Sequence, residues 1–297
     1  MALIELRLAE NVAGDFFVDS TCIDCDLCRQ IAPETFSDIG DQSIVYRQPR
    51  TGEEEFAALK ALVTCPTASI GTVGNYSART KQAVVAYPDL VDENVYFCGF
   101  ASESSYGASS YLIVRPEGNV LVDSPRFASP LVKRIAEMGG VRRMFLTHRD
   151  DVADHEQWAS RFNAERIMHG DDIGRGLAMI ERKLEGNDAI ALDDDLIAIP
   201  TPGHTRGHTV LLYRDKYLFS GDHLWWSPNY QSLHASQGVC WYSWSEQTRS
   251  VERLLDYEFE WVLPGHGRRA HRDRAQMRAE LIECVARMKG QTRLVAS

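Results

Sequence analysis

From about residue 84 onward, short apolar runs alternate with polar turns. Short runs bounded by turn residues predict β-strands, and longer stretches with apolar residues three and four apart predict helices. The predicted strands are Val95–Phe97, Ser110–Val114, Asn119–Asp123, Met144–Leu146, Ile167–Met168, Leu196–Ile199, Thr209–Tyr213 and Tyr217–Phe219. The predicted helices are about Ala128–Met138, Glu156–Phe162 and Arg272–Lys289. This mixture predicts sheets covered by helices in a layered α/β domain.

The residues before this region predict a separate small domain. Glu53–Val63 has helical spacing, with Phe56 and Leu59 on one apolar stripe. The following stretch, Thr72–Arg79, predicts a linker. We therefore expect a small α+β domain at 1–75 and a larger α/β domain at 84–297.

Composition narrows the class of protein. The 297 residues are 44% hydrophobic and 25% charged, as in soluble globular proteins. A formal net charge of −10 argues against nucleic acid as a partner. No apolar run reaches the ~18–20 residues that span a bilayer, and Met1–Glu10 lacks the apolar region of a signal peptide. We expect a cytoplasmic protein that does not bind membranes.

Four cysteines of the small domain have the spacing of a metal site. Cys22, Cys25 and Cys28 form a Cys-x2-Cys-x2-Cys run, and Cys65-Pro66 follows 37 residues later. Three closely spaced thiolates can wrap one face of an iron–sulfur cluster, and a distant fourth closes the cage. Zinc is the chemical alternative, but structural zinc sites usually pair two Cys-x2-Cys units or add histidines. No histidine precedes His148.

These cysteines and their neighbours resemble a single-cluster bacterial-type ferredoxin over roughly Val18–Gly71. The quoted segments are Cys28-Arg-Gln-Ile-Ala-Pro-Glu-Thr-Phe36 and Cys65-Pro-Thr-Ala-Ser-Ile70. The resemblance implies one [4Fe–4S] cluster bound by Cys22, Cys25, Cys28 and Cys65, with a three-iron form as the alternative. A metal centre would supply much of the stability of so small a domain.

The large domain carries metal-capable side chains just after several predicted strands. The segments are Phe145-Leu-Thr-His-Arg-Asp-Asp-Val-Ala-Asp-His155, Thr201-Pro-Gly-His-Thr-Arg-Gly-His208, Ser220-Gly-Asp-His223 and Leu263-Pro-Gly-His-Gly267. Strand ends are where α/β proteins place their chemistry. Within the second segment, His208 is expected to support the His204 loop by hydrogen bonding.

In order and local context, these segments resemble the metallo-β-lactamase fold superfamily of metallohydrolases, over about residues 84–270. The resemblance implies a four-layer αβ/βα sandwich with its site at one edge. His148, His204 and Asp222 would bind a first metal ion. A second ion would be bound by Asp154, His155, His266 and the bridging Asp222.

The first segment departs from the superfamily pattern His-x-His-x-Asp-His. The second histidine is missing, and two extra residues precede Asp154-His155. Asp150 or Asp151 could replace the lost ligand, because carboxylates bind zinc, iron and manganese; we include Asp150 in the expected ligand set. The alternatives are a weakened or empty first site and a mononuclear centre. Flavodiiron proteins of this superfamily bind iron through a carboxylate here, so a redox metal is a further alternative.

Three functional hypotheses follow. The first is a metal-dependent hydrolase that cleaves an ester, thioester or similar bond of a small molecule, with one or two zinc or iron ions. In that enzyme, Asp154 would orient the attacking hydroxide. The second is a redox enzyme or electron-transfer protein that couples the cluster to a non-haem iron centre or a partner protein. The third is a binding protein with a degenerate site.

Overall fold

The computed structural model describes residues 2–295. The chain divides into two units, one made of the residues up to 142 together with 153–163, the other of 143–152 and the residues from 164 onward. In the first unit, the helices are α1 (Leu27–Ile31), α2 (Gly52–Thr64), α3 (Ser77–Val85), α4 (Ser129–Glu137) and α5 (His155–Phe162). The predicted domain boundary between residues 75 and 84 stays a prediction.

The strands of the first unit pair with one another in antiparallel fashion. They are β1 (Phe16–Val18), β2 (Phe36–Asp38), β3 (Ser43–Val45), β4 (Ile70–Thr72), β5 (Asp89–Asp92), β6 (Val95–Phe97), β7 (Tyr111–Ile113) and β8 (Val120–Val122). β1 pairs with β4, β2 pairs with β3, and β5 to β8 run as an antiparallel meander. The predicted strand Val95–Phe97 has the same bounds as β6.

Helix α2 shows how local sequence sets an element of this unit. Thr51 caps its start, because the Thr51 side chain accepts a hydrogen bond from the backbone N–H of Glu54. Buried side chains including Leu59 hold one face, and Cys65 is the C-terminal cap residue. The predicted helix Glu53–Val63 is confirmed. Strand β4 ends at Thr72 and the next helix, α3, begins at Ser77, so the prediction that Thr72–Arg79 is a linker is wrong at its first residue and over its last three.

Within residues 143–152 and 164–295, the strands include three that pair in parallel, six that form a mixed sheet and an antiparallel pair. The strands of this second unit are β9 (Arg143–Phe145), β10 (Glu165–His169), β11 (Arg182–Leu184), β12 (Ile190–Asp193), β13 (Leu196–Pro200), β14 (Thr209–Tyr213), β15 (Tyr217–Gly221), β16 (Trp225–Ser227), β17 (Ser232–His234), β18 (Trp261–Pro264) and β19 (Ala270–His271). β9, β10 and β11 are parallel. The mixed sheet has the order β12-β13-β14-β15-β18-β19, with β15 and β18 parallel.

The helices of the second unit complete its apolar core. They are α6 (Trp244–Arg253) and α7 (Arg274–Val295). Along α7 the buried residues recur with helical spacing at Met277, Leu281, Cys284, Val285 and Met288, so one face of the helix faces the apolar core of this unit. No helix within residues 2–295 combines the length and apolarity that a bilayer span requires.

Candidate metal centres

The four cysteines of the predicted cluster site lie in the first unit. Cys22 follows β1, Cys28 lies in α1, and Cys65 caps α2. Burial is the main cause that raises the pKa of the Cys25 and Cys28 thiols, and the neighbouring cysteines, which are close enough to interact electrostatically, raise it further. All seven cysteines of the chain are free of disulfide bonds.

Backbone N–H groups point at two of the cysteine sulfurs. Ser43 N lies 3.4 Å from Cys22 Sγ, and Ser69 N lies 3.3 Å from Cys65 Sγ. Hydrogen bonds of this kind stabilise thiolates bound to an iron–sulfur cluster and tune its reduction potential. The peptide surroundings of these two sulfurs therefore suit thiolate ligands.

Burial changes the acidity of the other two thiols, those of Cys25 and Cys28. It raises the pKa of Cys25 to about 12 and raises the pKa of Cys28 as well, because a thiolate in an apolar site loses its hydration. The Arg29 guanidinium opposes this effect at Cys25 but does not outweigh burial, so both thiols stay protonated at neutral pH without a stronger positive charge. Iron ions would supply such a charge and displace the protons. The cysteine set therefore fits an iron–sulfur cluster.

Four loops of the second unit carry most of the other predicted ligands. His148 follows β9, and His204 lies between β13 and β14. Asp222 follows β15, and His266 follows β18. Each loop therefore begins where a strand ends, as the sequence predicts.

Imidazole and carboxylate groups converge in this second unit. Asp222 Oδ2 lies 3.7 Å from His148 Nε2 and 3.8 Å from His204 Nε2. Asp150 Oδ2 lies 3.8 Å from His204 Nε2, and Asp151 Oδ2 lies 4.0 Å from His148 Nε2. Ligands that share one ion at about 2.0–2.2 Å are roughly 3–4 Å apart. These side chains therefore have nearly the spacing that one metal ion needs.

The two aspartates that follow His148 occupy different surroundings. The Asp151 side chain is 1% exposed, whereas that of Asp150 is 47% exposed. The potential ligands form two groups, and within each group the ligand atoms lie within 4.8 Å of one another. One group is His148, Asp150 and His204, and the other is His148, Asp151 and Asp222. Both aspartates are therefore placed to replace the missing histidine. The choice of Asp150 as a ligand stays a prediction.

Hydrogen bonds orient the two histidines of this centre. His204 Nδ1 donates to the Val239 carbonyl at 2.6 Å, because a carbonyl oxygen only accepts. His148 Nδ1 is paired with the Thr147 hydroxyl at 3.0 Å. Both Nε2 atoms are buried and have no hydrogen-bond partner within residues 2–295. Metal-binding histidines are commonly held in this way through the other ring nitrogen.

Local electrostatics favour the protonation states that bind metals. Burial lowers the pKa of His148 to about 3, so its imidazole is neutral at physiological pH. Burial alone would raise the pKa of Asp222, but the imidazoles of His266, His148 and His204 outweigh it, and the pKa is lowered. Asp222 is therefore ionised, and this donor set fits zinc or non-haem iron.

His266 approaches Asp222 closely. His266 Nδ1 lies 2.8 Å from both Asp222 carboxylate oxygens, and His266 N donates to Oδ1 at 3.0 Å. A Cβ at Gly265 would lie 2.6 Å from Asp151 Oδ2 and 2.8 Å from Asp222 Oδ1. Only glycine fits at residue 265, because any side chain would displace one of the two carboxylates.

Asp154 and His155 belong to the first unit. Asp154 adopts a left-handed conformation at φ +52° and precedes α5, in which His155 is the first residue. Asp154 Oδ2 accepts a hydrogen bond from Phe127 N at 2.8 Å, and Oδ1 accepts one from Gln157 Nε2 at 3.0 Å. The roles of Asp154 and His155 as metal ligands, and of Asp154 in catalysis, stay predictions.

The expected support from His208 is confirmed. His208 Nδ1 is paired with the Thr201 hydroxyl at 2.9 Å, and the His208 carbonyl accepts from Thr201 N at 2.8 Å. These bonds close the loop that carries His204. The His208 ring also lies 5.3 Å from that of His148, centroid to centroid.

Sequence reasoning missed Asp172, a buried carboxylate that joins two ligand loops. Asp172 Oδ1 accepts from Gly207 N at 2.7 Å. Its Oδ2 accepts from Thr205 Oγ1 at 2.5 Å and from Arg149 N at 3.2 Å. The one sequence signal was its position shortly after the predicted strand Ile167–Met168.

Comparison with family models identifies the N-terminal domain. Residues 18–72 match the 4Fe-4S single cluster domain of ferredoxin I. The matched span contains all four cysteines of the predicted cluster site. The ferredoxin-type prediction is confirmed, and the chain contains an iron–sulfur domain of this type.

Comparison with solved structures identifies the fold of the remainder. The DIM-1 metallo-β-lactamase is 18% identical with a TM-score of 0.53, over 68% of this chain and 96% of that chain. The metallo-β-lactamase from Pontibacter korlensis is 15% identical with a TM-score of 0.51, over 67% and 97%. The predicted metallo-β-lactamase fold is confirmed. No curated protein sequence matches the chain.

Proposed function

We propose that this chain, which joins a 4Fe-4S single-cluster domain to a metallo-β-lactamase fold, is a metal-dependent hydrolase. Its substrate would be a small molecule with an ester, thioester or similar bond. The observation that carries the proposal is the convergence of two imidazoles on one carboxylate oxygen. His148 Nε2 lies 3.7 Å and His204 Nε2 lies 3.8 Å from Asp222 Oδ2. Hydrolysis also fits the structural relatives, which include metallo-β-lactamases.

The chain's own residues prepare this centre for hydrolysis. A zinc or iron ion bound here would lower the pKa of a coordinated water toward ~7 and make hydroxide available. The Thr147 hydroxyl and the Val239 carbonyl fix the planes of the two imidazoles, so little reorganisation accompanies binding. The half-exposed Asp150 carboxylate lies beside His204 on the solvent side, where it can contact an incoming substrate.

The direct test is hydrolysis by the metal-loaded chain. We expect turnover of 4-nitrophenyl acetate or a simple thioester that falls at least 100-fold in His204→Ala, because that change removes a ligand. His271→Ala is the matched control, since His271 is an exposed histidine of the same unit. Equal rates in the two variants would refute the proposal.

A redox function is the second candidate. The donor set favours it in one respect: two histidines with carboxylates suit non-haem iron as well as zinc, and an iron–sulfur domain lies in the same chain. Under this proposal the cluster exchanges electrons with iron at His148 and His204, or with a partner protein. Electron paramagnetic resonance of chain loaded with iron and reduced by dithionite tests it. A second iron signal that changes on reduction and is absent in His204→Ala would support this function over hydrolysis.

A further inference from the structure

Residues 100–108, here called the contact segment, touch the cysteine loop at Cys25. Gly107 has φ +82°, and a Cβ there would lie 2.7 Å from Cys25 Cβ and 3.1 Å from Cys25 Sγ. The same Cβ would lie 3.2 Å from Pro66 Cγ, next to Cys65. The backbone at residue 107 therefore packs directly against the side chain of one predicted cluster ligand and the neighbour of another.

The contact segment is also bonded to the end of α2. Ala101 N donates to the Thr64 carbonyl at 3.2 Å, one residue before Cys65. Within the segment, Gly107 N donates to the Ser102 carbonyl at 2.9 Å. This bond closes the loop, so the contacts near Cys65 and Cys25 belong to one turn.

The other side of the segment holds the residues just before α5. The buried Ser105 hydroxyl accepts a hydrogen bond from Ala153 N at 3.3 Å, and Ala153 immediately precedes Asp154. A second connection runs through residues 126 and 127. Arg126 N donates to the Phe100 carbonyl at 2.9 Å, and Phe127 N donates to the Asp154 carboxylate. Both ties lie wholly within the first unit.

We propose that the contact segment makes the position of Asp154-His155 depend on the iron–sulfur cluster, with Ser105 as the positioning residue. A bound cluster fixes Cys25 and Cys65, these fix the contact segment, and Ser105 then holds the Ala153 amide. Loss of the cluster loosens the same chain of contacts. The cluster thereby controls the order of the segment that carries Asp154 and His155, two residues that the sequence predicts as metal ligands.

Hydrogen exchange of the full-length, cluster-loaded chain tests this coupling. Ser105→Ala removes the acceptor of the Ala153 amide, so exchange across 152–157 should rise by roughly three- to tenfold. Iron and sulfide content should stay unchanged. Ser104→Ala is the matched control, since Ser104 is the exposed neighbour in the same segment. Equal exchange in the two variants would overturn the proposal.

Cluster removal supplies the second arm. In wild-type chain stripped of iron by a chelator, exchange across 100–108 and 152–157 should rise together, while amides of β7 stay protected. Unchanged exchange at 152–157 with β7 protected would overturn the coupling. If cluster loss also unfolds β7, the hydrogen-exchange comparison of Ser105→Ala with Ser104→Ala, both with the cluster bound, decides whether the coupling exists.

These measurements do not depend on turnover. A chain that shows coupled exchange but cleaves no ester or thioester would refute the proposed hydrolase and leave the coupling in place. A chain that hydrolyses its substrate with unchanged exchange would do the reverse.

Discussion

Two aspartates carry the departure of this chain from the usual metallo-β-lactamase signature. The sequence could predict that Asp150 or Asp151 replaces a lost histidine, because both follow His148 directly and both can bind metals. It could not separate them, because burial depends on tertiary packing. In the structure Asp151 is enclosed and Asp150 is half exposed, which suits Asp151 to a fixed ligand position and Asp150 to the solvent side.

A glycine at the cluster loop provides a test at the residue scale. Gly107→Ala would place a methyl group 2.7 Å from Cys25 Cβ at a left-handed φ of +82°. We expect this variant to lose at least half of its iron and sulfide, because the Cys25 side chain must move. Metal analysis after anaerobic purification measures it.

Gly40→Ala separates the steric contact from backbone strain. Gly40 also has a left-handed φ, +109°, but an added Cβ meets nothing within 4 Å. This variant should pay a similar backbone cost and keep its cluster. Equal cluster loss in both variants would show that strain, and not the contact with Cys25, is responsible.

At the element scale, the strand ends explain how much of the site could be predicted. Apolar runs such as Leu196–Ile199 and Tyr217–Phe219 predict their own strands, and His204 and Asp222 follow these two runs in loops that contain glycine. The partners that fix those loops carry no such local signal. Every residue has a backbone carbonyl, so the sequence does not single out Val239. Asp172 has no motif context, and its contacts with residues 205 and 207 form only in the folded chain.

Asp172 provides the test at this scale, because it ties the His148 and His204 loops together. Asp172→Ala removes three hydrogen bonds to a buried carboxylate, so we expect a loss of about 2–4 kcal/mol in the free energy of unfolding. Metal bound at His148 and His204 should also be released faster. Urea denaturation and chelator-driven metal release measure the two effects.

The neighbouring residue is the matched control. Asp171 is exposed and forms a surface ion pair with Arg206 at 3.3 Å. Asp171→Ala should therefore cost no more than about 1 kcal/mol. If Asp172→Ala behaves like Asp171→Ala, the carboxylate does not hold the two loops.

At the scale of the whole molecule, one chain combines two sets of side chains that fit different metals. Thiolates in the first unit fit a soft iron–sulfur cluster, and imidazoles with carboxylates in the second fit zinc or non-haem iron. The Cys-x2-Cys-x2-Cys spacing and the order of the histidine loops predicted both centres. The role of residues 100–108 could not be predicted, because the contacts of Gly107 with Cys25 and of Ser105 with Ala153 join residues far apart in the sequence.

Metal and sulfide content per chain after anaerobic purification and zinc loading tests the central claim of two separate centres. We predict about four iron and four sulfide for the cluster and at least one further zinc or iron ion. Cys65→Ser should lose iron and sulfide but still bind the further ion at saturating metal, and His204→Ala should do the opposite. A wild-type chain without sulfide, or a His204→Ala chain that keeps the full second metal, would contradict the account.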